Sequence, residues 1–222
     1  MNIVLITSRI DAGIRFFLYV LIFWLPYSPA VIEVSVVAGL FLWILKHCFI
    51  FFHQLKQEKD LKCFYPPSSI LNKPISFFII ICIISIMSSA FFEQALHGFI
   101  SKTLEWFIIY FLIIETFKDK KCVYIAVGIF LFTAVSTVLD GLIQCYWTHK
   151  DIFSGHILDP DGRVNASFRT PNGLGGYLTI VVGILLGSFF TMKNGFWRIG
   201  FGILIGLTLW VEFLTYSRGS WI

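Results

Sequence analysis

Seven long apolar runs separated by short polar breaks leave this chain few ways to fold. Crossing the hydrocarbon core of a bilayer takes about 20 apolar residues of helix. Runs close to that size occupy 14–30, 31–50, 74–92, 100–117, 122–146, 172–192 and 196–215, the first of them short and the fifth interrupted. Soluble domains carry about a quarter charged residues; here the charged fraction is 14% of 222 residues, so a water-soluble interior cannot hide these runs. Within lipid every backbone N–H and C=O must find its partner inside the protein, which leaves helices or closed barrels, and segments of this length are helices. The expected fold class is all-α: a polytopic transmembrane helical bundle of about seven spans, one membrane domain over 1–222.

The polar breaks carry the topology. Pro26-Tyr27-Ser28-Pro29 stops a helix, since two prolines in four residues interrupt the hydrogen-bond ladder, and it predicts a tight helical hairpin between the first two runs. Residues 9–30 also have the outline of a signal peptide, with Arg9 and Arg15 ahead of an apolar stretch and Ser28 and Ala30 as small residues; the spans that follow at once favour an uncleaved helix. With the N-terminus in the cytoplasm, 12 of the 17 Lys and Arg fall on the cytoplasmic side, among them Arg9, Arg15, Lys46 and Lys118. Only Lys102, Lys150, Arg163, Arg169 and Arg218 fall outside. The 46–73 segment, Lys-rich with Pro66-Pro67, reads as a solvated cytoplasmic linker, and 147–171 as the longest external loop.

A net charge of +4 in such a chain reports orientation, so no nucleic-acid partner is expected, and the bilayer is the partner implied. Five cysteines with no CxxC and no Cys/His cluster predict neither a disulfide framework nor a metal site. Gly173, Gly175, Gly176, Gly183 and Gly187 recur at roughly helical spacing and read as a close-packing face. Asp159-Pro-Asp161-Gly reads as a turn, and His149 and His156 as exposed loop histidines.

Charged groups at the rim of a bilayer are costly enough to be informative. Glu33, Glu93, Glu105, Asp140 and Glu212 lie toward the external helix ends, at the depth of Arg163, Arg169 and Arg218, and together predict an external polar cavity. Two strings stand out there: R-V-N-A-S-F-R-T-P-N-G-L over 163–174 and T-Y-S-R-G-S-W over 215–221. The first sets an Arg at the end of a loop and Pro171-Asn172 at a helix start, where free N–H groups and the dipole favour anions. The second sets Arg218 beside small residues, so that its five-donor fork can reach an anionic group.

These strings resemble the O-antigen ligase and polymerase superfamily of bacterial envelope proteins, in its R-x-x-G-x-F-x-N-P-N-x-L pattern before a helix and its S-R-G-A/S-W box. The run of helices is similar over the whole chain, and the motifs over Arg163 to Trp221. Ala166 stands where that family usually has Gly, and Arg169-Thr170 replaces the commoner Gly-Asn. The family's second half, with a large external loop carrying an essential His and a further Arg, has no counterpart here; with an eighth apolar run starting at Trp221-Ile222, the chain is expected to be the N-terminal part of a longer protein. The resemblance implies transfer of a glycan from a polyprenyl-diphosphate carrier to a sugar hydroxyl of a glycan or lipid-linked acceptor, at the external face of the bacterial inner membrane, without nucleotide sugar, cofactor or metal. It implies Arg218 as catalytic and Arg163, Arg169 and Asn172 as diphosphate- or glycan-binding. A transporter or flippase and a non-catalytic membrane fragment are the competing expectations.

Overall fold

Helices make up most of the computed structural model, which describes residues 3–55 and 69–220. They are α1 (Ile3–Trp24), α2 (Pro29–Leu55), α3 (Asn72–Met87), α4 (Phe92–Gly98), α5 (Glu105–Thr116), α6 (Lys120–Ile143), α7 (Pro171–Thr191) and α8 (Gly195–Leu214). A π-helical segment, Phe99–Leu104, joins α4 to α5 without a break, and another, Gln144–Thr148, extends α6. Among the described residues there is no strand, only an isolated bridge between Lys150 and Ile157.

Among the described residues, five stretches are long and apolar enough to cross a membrane: Pro29–Leu55, Phe92–Thr116, Lys120–Thr148, Pro171–Thr191 and Gly195–Leu214. Of the remaining two, α1 carries Arg9, Asp11 and Arg15, and α3 has 16 residues, which at 1.5 Å per residue is about 24 Å against a core of about 30 Å. The interrupted fifth run is in fact one continuous helix through its π-helical end. The Pro26–Pro29 break falls where expected: α1 stops at Trp24, whose carbonyl accepts from Tyr27 and Ser28, and Pro29 opens α2. At that position its missing N–H costs no helical hydrogen bond.

The chain divides into two compact units, Met1–Leu21 with Ala30–Val123 and Ile22–Pro29 with Tyr124–Ile222. In the first, Ile14, Leu18 and Leu21 form a helical stripe on α1 and are buried with Val36, Ile109 and Leu112. Charge is buried there too. Lys46 is 5% exposed, and its Nζ donates to Asp11 at 2.7 Å and to Glu115 at 2.6 Å; Glu115 also accepts from Trp43 Nε1 at 2.5 Å. Lys46 is therefore an interior residue of α2, not part of a solvated linker, and α2 continues to Leu55. Lys56, Lys59, Lys62 and Pro66-Pro67 lie outside the described residues, as do Trp221 and Ile222.

In the second unit the core is built on α7, where Leu174, Leu178, Val181 and Leu185 repeat at helical spacing and are fully buried. Ala134 and Val138 of α6, Val211 of α8, and Val164 and Ala166 of the 149–170 loop complete it. Val164 and Ala166 enter the core because Gly141 leaves room: a Cβ there would meet Val211 Cγ1 at 2.8 Å and Val164 Cγ1 at 3.4 Å. Of the α7 glycines expected to pack closely, Gly173 does, its Cβ position lying 3.3 Å from Thr170 Oγ1, and Gly175 is buried, whereas a Cβ on Gly176, Gly183 or Gly187 would meet open space.

Candidate functional site

The 149–170 loop is tied to the end of α6 by two buried polar side chains. Gln144, wholly buried, donates through Nε2 to His156 O at 3.1 Å and to Asn165 Oδ1 at 2.6 Å. Its Oε1 accepts from Asn165 N at 3.2 Å and Ala166 N at 2.8 Å. Asp140, 1% exposed, accepts from Ile152 N at 2.8 Å and Ser167 Oγ at 2.9 Å. A buried amide or carboxylate is stable only when its hydrogen-bonding capacity is met, and these two meet theirs by capturing loop backbone. Asp159 turns the chain, its carbonyl accepting from Gly162 N at 2.7 Å, as the Pro and Gly placement predicted. Beyond the turn, Val164 N donates to Leu214 O at 3.1 Å, joining the loop to the end of α8.

Arg163 is held at two points by this arrangement. Its Nε donates to Thr215 O at 2.9 Å and its Nη2 to Asn172 Oδ1 at 2.8 Å. Asn172 sits in the first turn of α7, which starts on schedule: Thr170 has extended backbone, its hydroxyl accepts from Gly173 N at 3.2 Å, and Pro171 follows. The cap takes the Gly173 N–H, so the anion-binding capacity expected of this helix start passes to side chains. At the end of α8, Thr215 Oγ1 accepts from Ser217 N at 3.2 Å, and Tyr216 adopts φ +47°. The reversal at Tyr216 directs the chain into the short 3-10 helix that begins at Arg218.

These parts surround an open cavity of about 760 Å³ lined by Arg163, Asn172, Gly176, Thr179, Ile180, Tyr216, Ser217, Arg218 and Gly219. All of it lies in the second unit. Three of the four residues expected from sequence, Arg163, Asn172 and Arg218, come together here; Arg169, exposed one position before the cap of α7, is not among the lining residues. Arg218 is exposed, and its guanidinium makes no hydrogen bond or ion pair with the described residues. Arg163 keeps N–H groups beyond the two it uses. The cavity thus gathers unspent cationic donors, the combination that recognises phosphate-like oxygens.

The carboxylates behave differently from the expected ionised rim. In this unit Asp140 and Glu212 are buried, and neither lines the cavity. Glu212 braces it from behind, accepting from Thr179 Oγ1 at 2.9 Å. His149 and His156 do not line it either; His156 folds over Asp151, whose carboxylate accepts the backbone N–H groups of Phe153, Ser154 and His156. Gln144 was not singled out from sequence, although a lone amide at the end of an apolar helix is a signal of a buried partner.

No family model, curated protein or solved structure matches this chain.

Proposed function

We propose that this protein is a membrane glycan ligase or polymerase of the O-antigen ligase kind, which moves a glycan from a polyprenyl diphosphate to a sugar hydroxyl at the external face of a bacterial inner membrane. One observation carries the reading: Arg163 and Arg218, 55 positions apart in sequence, converge on one cavity with Asn172. In this reaction the bond from the anomeric carbon to the diphosphate oxygen breaks, and the acceptor oxygen bonds to that carbon. The hydroxyl proton passes to a base, and the departing diphosphate carries the negative charge. Positioned guanidinium groups stabilise that charge as it develops. Arg218 takes the leaving group, and Arg163 holds a neighbouring phosphate or glycan oxygen.

Seven spans with the N-terminus in the cytoplasm fit the helix pairings within each unit. Asp11 in the first half of α1 and Glu115 at the end of α5 both bond to Lys46, late in α2, so these three positions share a depth. An N-inside alternation gives them the same side. Likewise the end of α6, the start of α7 and the end of α8 meet around the 149–170 loop, which that alternation puts outside.

The test is Arg218→Ala in the natural gene in its own cells. Glycan transfer should fall at least about a hundredfold, the usual cost of removing one such donor, with unchanged amounts of protein in the membrane. Normal transfer by that variant would remove the assignment.

A transporter is the second reading, and the buried Lys46 with its half-buried partners Asp11 and Glu115 favours it, since ionisable residues inside helical bundles mark ion pathways. Transfer lost in the Arg218 variant but retained when this ion cluster is neutralised would separate the two.

A further inference from the structure

Asn172 contributes more to the cavity than a place for Arg163 to rest. A guanidinium can only donate, so the Asn172 atom 2.8 Å from Arg163 Nη2 is the carbonyl oxygen Oδ1. An Asn side chain looks nearly the same with its oxygen and nitrogen exchanged, and the partner's chemistry settles which is which. Here the exchanged form would set N–H against N–H. With Oδ1 turned to Arg163, the group that Asn172 turns toward the cavity it lines is Nδ2, with its two N–H donors.

We infer that Asn172 determines the charge of ligand this cavity takes: its amide, oriented by Arg163, presents its two N–H donors, and with Arg163 and Arg218 it forms a wall selective for the anionic oxygens of a phosphate or diphosphate group. The inference rests on the anion-site reading above and assigns the selectivity to a neutral residue. Glu212, the one carboxylate of α8, is engaged by Thr179 and does not line the cavity.

Aspartate and alanine at 172 separate this role from simple positioning. Asn172→Asp keeps an acceptor for Arg163, and a charge-assisted one at that, so Arg163 stays in place and the fold is undisturbed. It replaces the two donors by a carboxylate oxygen facing the ligand. Asn172→Ala removes the Arg163 tie and the donors but adds no negative charge. If Asn172 only positioned Arg163, Asp would bind like Asn and Ala would be the weaker binder. Selectivity set by the amide predicts the opposite order.

The experiment uses the full natural protein in phosphatidylcholine nanodiscs, with inorganic diphosphate as probe and calorimetric titration as readout. Unmodified protein and the loop control Lys150→Gln should bind alike. Asn172→Ala should weaken binding, and Asn172→Asp should weaken it further, by about tenfold or more relative to unmodified protein, as expected for a charge-assisted contact turned repulsive. The melting temperature of Asn172→Asp should be unchanged. A second arm adds phosphatidylglycerol to the nanodiscs. Competition with diphosphate identifies a lipid headgroup as the source of the anion, undiminished binding identifies a ligand arriving from water, and both agree with the inference. Unimpaired binding by Asn172→Asp, with binding lost in Arg218→Ala, overturns the role of Asn172 and leaves the anion site standing. No binding by the unmodified protein overturns both.

Discussion

Replacing Gln144 by Met removes the tie between α6 and the loop that carries Arg163 while keeping the length and flexibility of the side chain. Four hydrogen bonds are lost, two donated and two accepted. The groups left behind are the N–H groups of Asn165 and Ala166, the carbonyl of His156 and Asn165 Oδ1, with Asn165 and Ala166 nearly or wholly buried. At about 1 kcal/mol for a net hydrogen bond the total is about 4 kcal/mol. At the average of about 0.6 kcal/mol measured between membrane helices it is about 2.4 kcal/mol. The expected destabilisation is therefore about 2–4 kcal/mol. It should be read from reversible unfolding in detergent, alongside limited proteolysis, in which new cleavage should appear within 149–170 before the helices are attacked. Gln144→Glu retains the two accepted bonds but sets a buried carboxylate oxygen against the His156 carbonyl and Asn165 Oδ1, so it should be at least as destabilising as Met. A Gln144→Met protein within about 0.5 kcal/mol of the original, with an uncut loop, would refute the claim that this amide holds the loop in place.

Two further outcomes follow from the same reasoning. Lys46→Met should cost about 3 kcal/mol, the low end of what breaking a buried pair costs, because it leaves the half-buried Asp11 and Glu115 carboxylates without their cation; neutralising both in the same protein, as Asp11→Asn and Glu115→Gln, should restore most of that in the same unfolding assay. Pro160→Cys, at an exposed turn, should react with an impermeant thiol reagent on intact cells in a background without the five native cysteines; labelling only after the cells are opened would invert the proposed orientation.

Much of the fold could be read from the sequence because crossing a bilayer leaves a local mark: a long apolar run whose bounds need no knowledge of other residues. The start of α1 shows where that fails. The first apolar run begins at 14, yet the helix begins at Ile3. Asp11 looks like a polar boundary until Lys46, 35 positions later, is seen bonded to it, and Arg15 until it is seen donating to the carbonyl of Thr116 at 3.4 Å. Partners so distant leave no pattern in a window of 20 residues. The site divides in the same way. Arg163, Asn172 and Arg218 stand in short strings whose residue types already suggest anion chemistry, whereas Gln144 acts through residues 12 to 22 positions away and has no string around it. Arg169 shared its string with Arg163, but position in a string does not say which way a side chain faces. Ala166 is a case between these. It was visible as a departure from a pattern that has Gly, and the structure supplies the reason such a position suits Gly: φ is +44°, in the left-handed region.

The two arginines of the cavity have the same chemistry and different thermodynamic histories. A free arginine side chain carries about 2 kcal/mol of rotamer entropy. Arg163 gave that up when the chain folded, because Thr215 and Asn172 each hold one end of its guanidinium. Arg218 still has it, and any ligand that engages Arg218 must freeze it at the moment of contact. The first arginine thus acts as a fixed feature to which a ligand adapts, while the second adapts to the ligand, tolerating head groups of different size at the expense of a less favourable entropy of binding.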